Sequence, residues 1–193
     1  MMRRLVATLA AGVAVLTMGC AAAPTRFYLL SPVGGTAAPE RAAGVVAVGP
    51  VSLPDYLDRP QIVTRDGANA AQLGAYDQWA GPLDDMLPRV LAEDLAARLP
   101  GDRVVVFPRT ENPAFDHRVA VDVSRFDVDE TGSAILSASW QVVAPAGKKP
   151  LLVRESTVRA TAASASYDDR VAALSQALGL LADDIAQGLA SLR

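Results

Sequence analysis

The single cysteine of this 193-residue sequence, Cys20, carries its clearest chemistry. A thiolate is a strong nucleophile, so a cysteine can be alkylated, acylated or oxidised. Because the chain has no second cysteine, it cannot form an intramolecular disulfide, and a folded domain must rely on its apolar core. Cys20 directly follows an apolar run at the start of the chain, and this position indicates what the thiol is for.

The residues before Cys20 have the pattern of a secretory signal peptide. Arg3 and Arg4 form a short positive region, and a largely apolar run of 14 residues follows from Leu5 to Met18. Such a run is too short to cross about 30 Å of hydrocarbon comfortably as a helix. It has the length of the apolar core of a signal peptide, so we expect the segment to direct export.

The four residues from Thr17 to Cys20 resemble the lipobox of bacterial lipoproteins, in which the chain is cut just before a lipidated cysteine. Gly19 supplies the small residue that cleavage requires, whereas Thr17 stands where Leu is usual. Two alternatives stay open at this point. An ordinary signal peptidase would cut near residues 21–23 and discard Cys20, or the segment would remain as an uncleaved membrane anchor.

The lipobox resemblance implies a lipoprotein signal peptide at residues 1–19 and a lipidated tether at residues 20–25. The lipid on Cys20 is then the only group attached to the chain. Its several acyl chains supply the two lipid signals that stable membrane anchoring needs. Ala21 follows the cysteine where Asp would retain a lipoprotein at the inner membrane, so the resemblance implies the periplasmic face of the outer membrane.

The charge of the mature chain argues against two classes of partner. Arg3 and Arg4 leave with the signal peptide, so 16 basic and 21 acidic residues remain and the net charge moves from −3 to −5. Nucleic-acid binding needs a basic face, and binding to anionic headgroups needs a polybasic cluster. We therefore expect no nucleic-acid partner, and we expect the membrane to be reached through the lipid.

The sequence lacks the motifs of common active sites. It contains no G-x-S-x-G, P-loop or dinucleotide-binding glycine motif and no Cys/His metal cluster. His117, the only histidine, falls in a predicted loop, and the acidic pairs Asp84-Asp85 and Asp183-Asp184 fall on predicted helices beside apolar stripes. Asp127 and Asp129 alternate as in a half-buried strand. We expect no enzyme activity, no catalytic residue, no metal and no cofactor.

Hydrophobic periodicity predicts eight strands and two helices in residues 26–193. Period-two patterns and turn residues predict strands, whereas apolar residues three and four apart predict helices. The predicted strands are 26–30, 45–51, 61–65, 71–75, 103–107, 118–130 with a bulge at Ser124-Arg125, 134–143 and 151–162; the predicted helices start at Pro82 and after Ser166. This order predicts a single α+β domain, a mostly antiparallel sheet with two helices packed on one face.

One segment carries a family resemblance. Residues 49–65 read GPVSLPDYLDRPQIVTR, Asn69 follows, and WAGPL occupies residues 79–83. These stretches resemble the ABC-type transport auxiliary lipoproteins, the PqiC/YmbA-like family, whose members carry an acidic residue where Gly81 stands here. The resemblance extends to residues 28–32 (YLLSP) and so covers most of the mature chain.

The family resemblance implies a non-catalytic role in transport. Such lipoproteins work with an ABC ATPase, a permease and an MCE-domain protein that together move lipids between the inner and outer membranes and maintain membrane integrity. The alternatives are a structural or assembly lipoprotein of another outer-membrane complex, and a small lipid-binding or hydrolytic enzyme. Self-assembly into a homo-oligomeric ring is a further expectation, because a conduit needs a channel that a domain of this size cannot enclose alone.

The proline-bounded part of the family segment is the predicted partner-binding surface. Rigid aromatic side chains beside an arginine are typical of protein-contact sites. We expect the large side chains there to be partly exposed. The alternative is that Asp58, Arg59 and Gln61 only pin a loop onto the sheet. The candidate residues are Tyr56, Leu57, Asp58, Arg59, Pro60, Gln61 and Trp79.

Overall fold

The computed structural model describes residues 23–37, 43–108, 114–145, 147 and 149–192. The predicted signal peptide and Cys20 lie outside these residues. No helix in the described part of the chain is long and apolar enough to span a membrane. The elements are β1 (Arg26–Tyr28), β2 (Val45–Ser52), a 3-10 helix (Asp55–Leu57), β3 (Gln61–Asp66), β4 (Ala70–Trp79), α1 (Leu83–Arg98), β5 (Arg103–Val106), β6 (His117–Val128), β7 (Ser133–Val143), β8 (Leu152–Thr161) and α2 (Tyr167–Ser191).

The eight strands form one sheet that divides at β6. On one side of β6 lie β7 and then β8, joined by long antiparallel ladders. On the other side, the first half of β6 pairs in parallel with β2, which pairs in parallel with β5. The end of β6 meets β3 in parallel at one position, and β4 and β1 continue outward from there. Most paired residues are antiparallel, which confirms the predicted α+β class, while the parallel pairings were not predicted.

Both helices pack on one face of the sheet and against each other. Their apolar stripes meet the inward-facing residues of the strands in one continuous core, built mainly from Val, Leu, Ala and Ile. Trp140 is 1% exposed, and its Nε1 donates a hydrogen bond to Ser156 Oγ at 3.0 Å. Gly188 of α2 admits this ring, because a Cβ at that position would lie 2.5 Å from Trp140 Cη2.

Local sequence signals predicted the start of each helix and the bulge in β6 correctly. Ser166 caps α2 by accepting a hydrogen bond from the Asp169 amide at 3.2 Å, as such residues do at helix starts. The register of β6 against β7 shifts between Val123 and Arg125, where the bulge was predicted. Helix α1 begins at Leu83 and runs through Pro88.

Several strand boundaries differ from the prediction by one or more residues, including those of β1, β4 and β6. Strand β1 ends at Tyr28, whose carbonyl accepts from the Ala80 amide at 2.8 Å. Strand β4 is ten residues long, and most of its side chains are exposed, so no apolar alternation marked its length. His117 begins β6 and does not lie in a loop.

Candidate functional site

The proline-bounded segment forms one turn of 3-10 helix between β2 and β3, where no regular element was predicted. Pro54, with φ of −69°, precedes the turn, and its carbonyl accepts from the Leu57 amide at 2.9 Å. At the far end, the Pro60 carbonyl accepts from the Trp79 amide at 2.7 Å. The segment is therefore closed on itself at one end and joined to the end of β4 at the other.

Tyr56 pins this turn to the sheet. Its hydroxyl donates to Asp127 Oδ2 at 3.0 Å and accepts from the Phe126 amide at 3.4 Å. The Arg65 guanidinium lies 5.8 Å from the ring centroid, within the range of a cation–π contact. Burial is the main cause that raises the pKa of Tyr56, so the hydroxyl stays a donor at neutral pH. Within the described residues, the pin is Tyr56 and not Asp58, Arg59 or Gln61.

The carboxylate that receives Tyr56 is fully buried and held by two arginines. Arg65 Nε lies 2.8 Å from Asp127 Oδ2, and Arg125 donates through Nε and Nη2 to Oδ1, each at 2.8 Å. A buried carboxylate needs such partners, because isolating it from water is costly. The expectation that Asp127 is an ordinary half-buried strand residue is wrong. The sequence feature that could have indicated this burial is Arg125, which lies two residues before Asp127 on the same face of β6.

Two of the candidate contact residues are buried, which corrects the expectation of partial exposure. Leu57 is 4% exposed and Trp79 is 5% exposed. Trp79 is paired with Tyr28 across β4 and β1 on the face that enters the core. Tyr56 is half-buried, whereas Asp58, Arg59 and Pro60 are exposed. Gln61 is half-buried and begins β3, where it pairs with Gln78.

Most of the candidate residues meet at one groove of about 650 Å³, here called the motif groove. One wall is formed within residues 51–60 and the other within residues 79–84, at the start of α1. Five of the seven candidates line it, namely Leu57, Asp58, Arg59, Pro60 and Trp79. Two of the stretches that carry the family resemblance, separated in sequence by β3 and most of β4, therefore face each other across this groove.

The motif groove has an apolar floor and a mostly acidic rim. Leu57 and Trp79 contribute to the floor, while the exposed carboxylates of Asp55, Asp58 and Asp84 lie among its lining residues. Arg59 is the one cation among the lining residues. Among the described residues, the side chains of Asp58 and Arg59 form no hydrogen bond or ion pair. The arrangement suits the binding of a protein segment with apolar and basic side chains.

The described residues present no cluster of three or more His, Cys, Asp or Glu side chains that could hold a metal ion. Among its described lining residues the motif groove has no histidine or cysteine, and its one serine, Ser52, donates a hydrogen bond to the exposed Asp122 carboxylate at 2.8 Å. The carboxylates of the groove are exposed, and exposed carboxylates are not placed in the apolar surroundings that tune catalytic acids.

A second buried ion cluster lies between the helices and holds the segment after β1. Arg98 is 1% exposed, and its Nε lies 2.6 Å from Asp183 Oδ1 while its Nη1 donates to the Val33 carbonyl at 2.9 Å. Asp94 Oδ1 accepts from the Val33 amide at 2.6 Å. Burial raises the pKa of the Asp94 carboxyl. Asp183, predicted to be a solvated helix residue, is thus part of a structural ion cluster.

Solved structures share this fold. An uncharacterised protein matches with a TM-score of 0.71 and 22% identity over 86% of this chain and 99% of its own. A Xanthomonas campestris protein of family DUF330 matches with a TM-score of 0.67 and 20% identity over 84% of this chain and 95% of its own. No curated protein sequence is significantly similar to the chain.

The family comparison covers nearly all of the folded domain. The model of the ABC-type transport auxiliary lipoprotein component matches residues 28–186. The matched range begins in β1, ends inside α2 and contains both walls of the motif groove. This chain therefore belongs to the family of ABC-type transport auxiliary lipoproteins.

Proposed function

We propose that this protein is the non-catalytic, outer-membrane-anchored subunit of an MCE/ABC-type system that moves lipids between membranes. The observation that carries the proposal is the convergence of the family-like stretches on the motif groove, within a chain of the transport auxiliary family. In this role the domain binds and positions other subunits, and the ABC ATPase supplies the energy.

The anchor in this proposal is the lipid on Cys20. Cleavage before Cys20 leaves the tether of residues 20–25 between the lipid and β1, and Ala21 favours the outer membrane. Lipidation is tested by the mass of the mature N-terminal peptide, which should carry the acyl chains. A mature chain that begins after Cys20, or a Cys20→Ser variant that still incorporates labelled palmitate, would contradict it.

The motif groove in this proposal receives a segment of the MCE-domain protein. The Tyr56–Asp127 contact and the backbone bonds of the 3-10 turn hold one wall in place. A preformed wall loses little conformational entropy on binding, which favours affinity. Asp58 and Arg59 lie on the exposed rim and can form charge pairs that orient the partner.

Recovery of partners with the lipidated protein tests this function. The wild type, expressed near its native level, should recover an MCE-domain protein together with an ABC permease and ATPase. An Asp58→Ala/Arg59→Ala variant should lose them, since it removes two adjacent rim charges, including the one cation, without touching the buried floor.

A matched control is an Arg154→Ala/Glu155→Ala variant, which removes one base and one acid from the exposed outer edge of β8. It should bind like the wild type. If the wild type and both variants all recover the transport subunits equally, the role of the groove is contradicted. If the wild type recovers no transport subunit, the proposed function is contradicted. If it recovers an unrelated outer-membrane complex instead, an assembly role is favoured.

A further inference from the structure

Strand β1 presents an unusual pair of exposed apolar side chains, here called the β1 apolar pair. Phe27 is 64% exposed and Leu29 is 62% exposed, more than any other large apolar side chain among the described residues. The neighbouring Tyr28 and Leu30 are 8% and 6% exposed. Successive side chains of an extended chain point to opposite sides, so the segment buries one set and presents the other to its surroundings.

The apolar surface continues onto the next strand. Strand β1 is an edge strand, paired only with β4, and Phe27 lies beside Gln78 in the register. Tyr76 lies two residues before Gln78 and is 45% exposed. Phe27 and Tyr76 are therefore exposed rings on neighbouring strands at this edge of the sheet.

The charged side chain next to this surface, Arg26, is paired with a carboxylate of β4. Arg26 Nη2 lies 2.7 Å from Asp77 Oδ1, and Tyr28 donates to the same oxygen at 2.8 Å. The Arg26 side chain is 56% exposed, and its guanidinium is bonded to Asp77 through both Nε and Nη2. An arginine near exposed aromatic and aliphatic side chains is a combination typical of membrane interfaces.

The length of the tether restricts what can face this surface. Phe27 is seven residues after Cys20, and seven extended residues span at most about 25 Å. The polar layer of a bilayer is about 5–7 Å thick on each side. A lipid on Cys20 therefore keeps the β1 apolar pair within direct reach of the bilayer surface.

We propose that Phe27 and Leu29 insert into the lipid interface, so that the β1 edge of the domain rests on the membrane. This inference uses the anchor on Cys20 from the proposed function and goes beyond it. The anchor alone leaves the domain free to rotate about its tether. Contact through the β1 apolar pair fixes one edge of the sheet on the membrane and gives the motif groove a defined orientation.

A spin-label measurement on the full lipidated chain tests this contact. Because the Cys20 thiol is consumed by the lipid, a cysteine introduced by Phe27→Cys or by Leu29→Cys is the only free thiol. Each variant is labelled with a nitroxide and reconstituted into vesicles of phosphatidylethanolamine and phosphatidylglycerol. Collision of the label with oxygen, which concentrates in lipid, is compared with collision with a water-soluble nickel complex.

The matched control is Val153→Cys on β8. Val153 is 61% exposed, so the label there starts from similar exposure. It lies on the opposite edge of the sheet, near the end of α2 where Leu152 meets Gly188. Tyr167, which packs against Tyr28, is at the other end of α2, and 21 residues of helix separate the two ends by about 30 Å.

The expected result is that labels at positions 27 and 29 collide several-fold more with oxygen than with nickel, while the label at 153 shows the reverse. Labels at 27 and 29 that behave like the label at 153, on protein that floats with vesicles, would overturn the membrane contact and leave the anchor intact. Labels shielded from both reagents would indicate a protein contact and would also overturn it. A second free thiol together with loss of flotation would show that Cys20 carries no lipid, and both proposals would then fail.

Discussion

At the scale of single residues, the family segment divides into side chains that build the site and side chains that are available to a partner. Tyr56 faces inward to Asp127, and Leu57 is buried in the core. Asp58 and Arg59, which follow directly, are exposed and without side-chain partners among the described residues. Neighbours in one short stretch thus have opposite roles. Only the direction of each side chain from the turn separates them, and that direction is set by the tertiary contacts of the turn.

The Asp127 cluster predicts a strong effect on stability. Asp127→Asn should lower the free energy of unfolding by about 3 kcal/mol, because Arg65 and Arg125 lose the charge that compensates them in a largely buried setting. Urea denaturation followed by circular dichroism measures this loss. Asp122→Asn is the control on the same strand, since Asp122 is exposed and its carboxylate accepts a hydrogen bond from Ser52 Oγ, with no arginine partner among the described residues. It should change stability by less than about 0.5 kcal/mol, and equal losses in both variants would contradict the cluster's role.

At the scale of elements, the sequence predicted what local patterns determine. The three antiparallel strands from β6 to β8, the bulge in β6 and the cap of α2 follow from alternation, turn residues and Ser166. The parallel pairings of β1 with β4 and of β2 with β6 join segments distant in sequence, and no local pattern encodes them. Trp79 is buried because β1 pairs with β4 beside it. Since the sequence does not reveal this pairing, it indicated a partly exposed Trp79.

The connection after β1 depends on the Arg98 cluster, which gives a prediction at the element scale. Arg98→Met should leave Asp94 without its cation and detach residues 31–35 from the helices. We expect the Val33 amide to exchange hydrogen at least tenfold faster, while the core of α2 stays protected. Hydrogen exchange followed by mass spectrometry measures this. Arg89→Met, at an exposed arginine of the same helix, is the control and should leave exchange unchanged.

At the scale of the whole molecule, the domain presents two surfaces with different proposed partners. In these proposals the β1 apolar pair faces the membrane and the motif groove faces a transport subunit, and the sheet and helices hold the two surfaces in a fixed relation. The sequence contained the lipobox-like residues, the family stretches and the groove-lining candidates. It could not reveal that the stretches at residues 51–60 and 79–84 face each other, because that depends on how β4 and α1 return beside the 3-10 turn.

Assembly into a ring is also a proposal at this scale. A conduit between membranes needs a channel, and the two largest described grooves of this domain are open to solvent. We expect the protein in detergent to sediment as one closed oligomer over the micromolar range. A monomer at every concentration would contradict the ring and would leave the docking role of a single domain in place.

Site-specific crosslinking in cells tests the docking role of the motif groove most directly. A photo-reactive residue is introduced by Asp58→p-benzoylphenylalanine at the motif groove, and by Arg154→p-benzoylphenylalanine on β8 as the control. We predict that illumination links position 58, and not position 154, to an MCE-domain protein identified by mass spectrometry. Failure of position 58 to link to any such protein, or equal linking from both positions, would contradict docking at the motif groove.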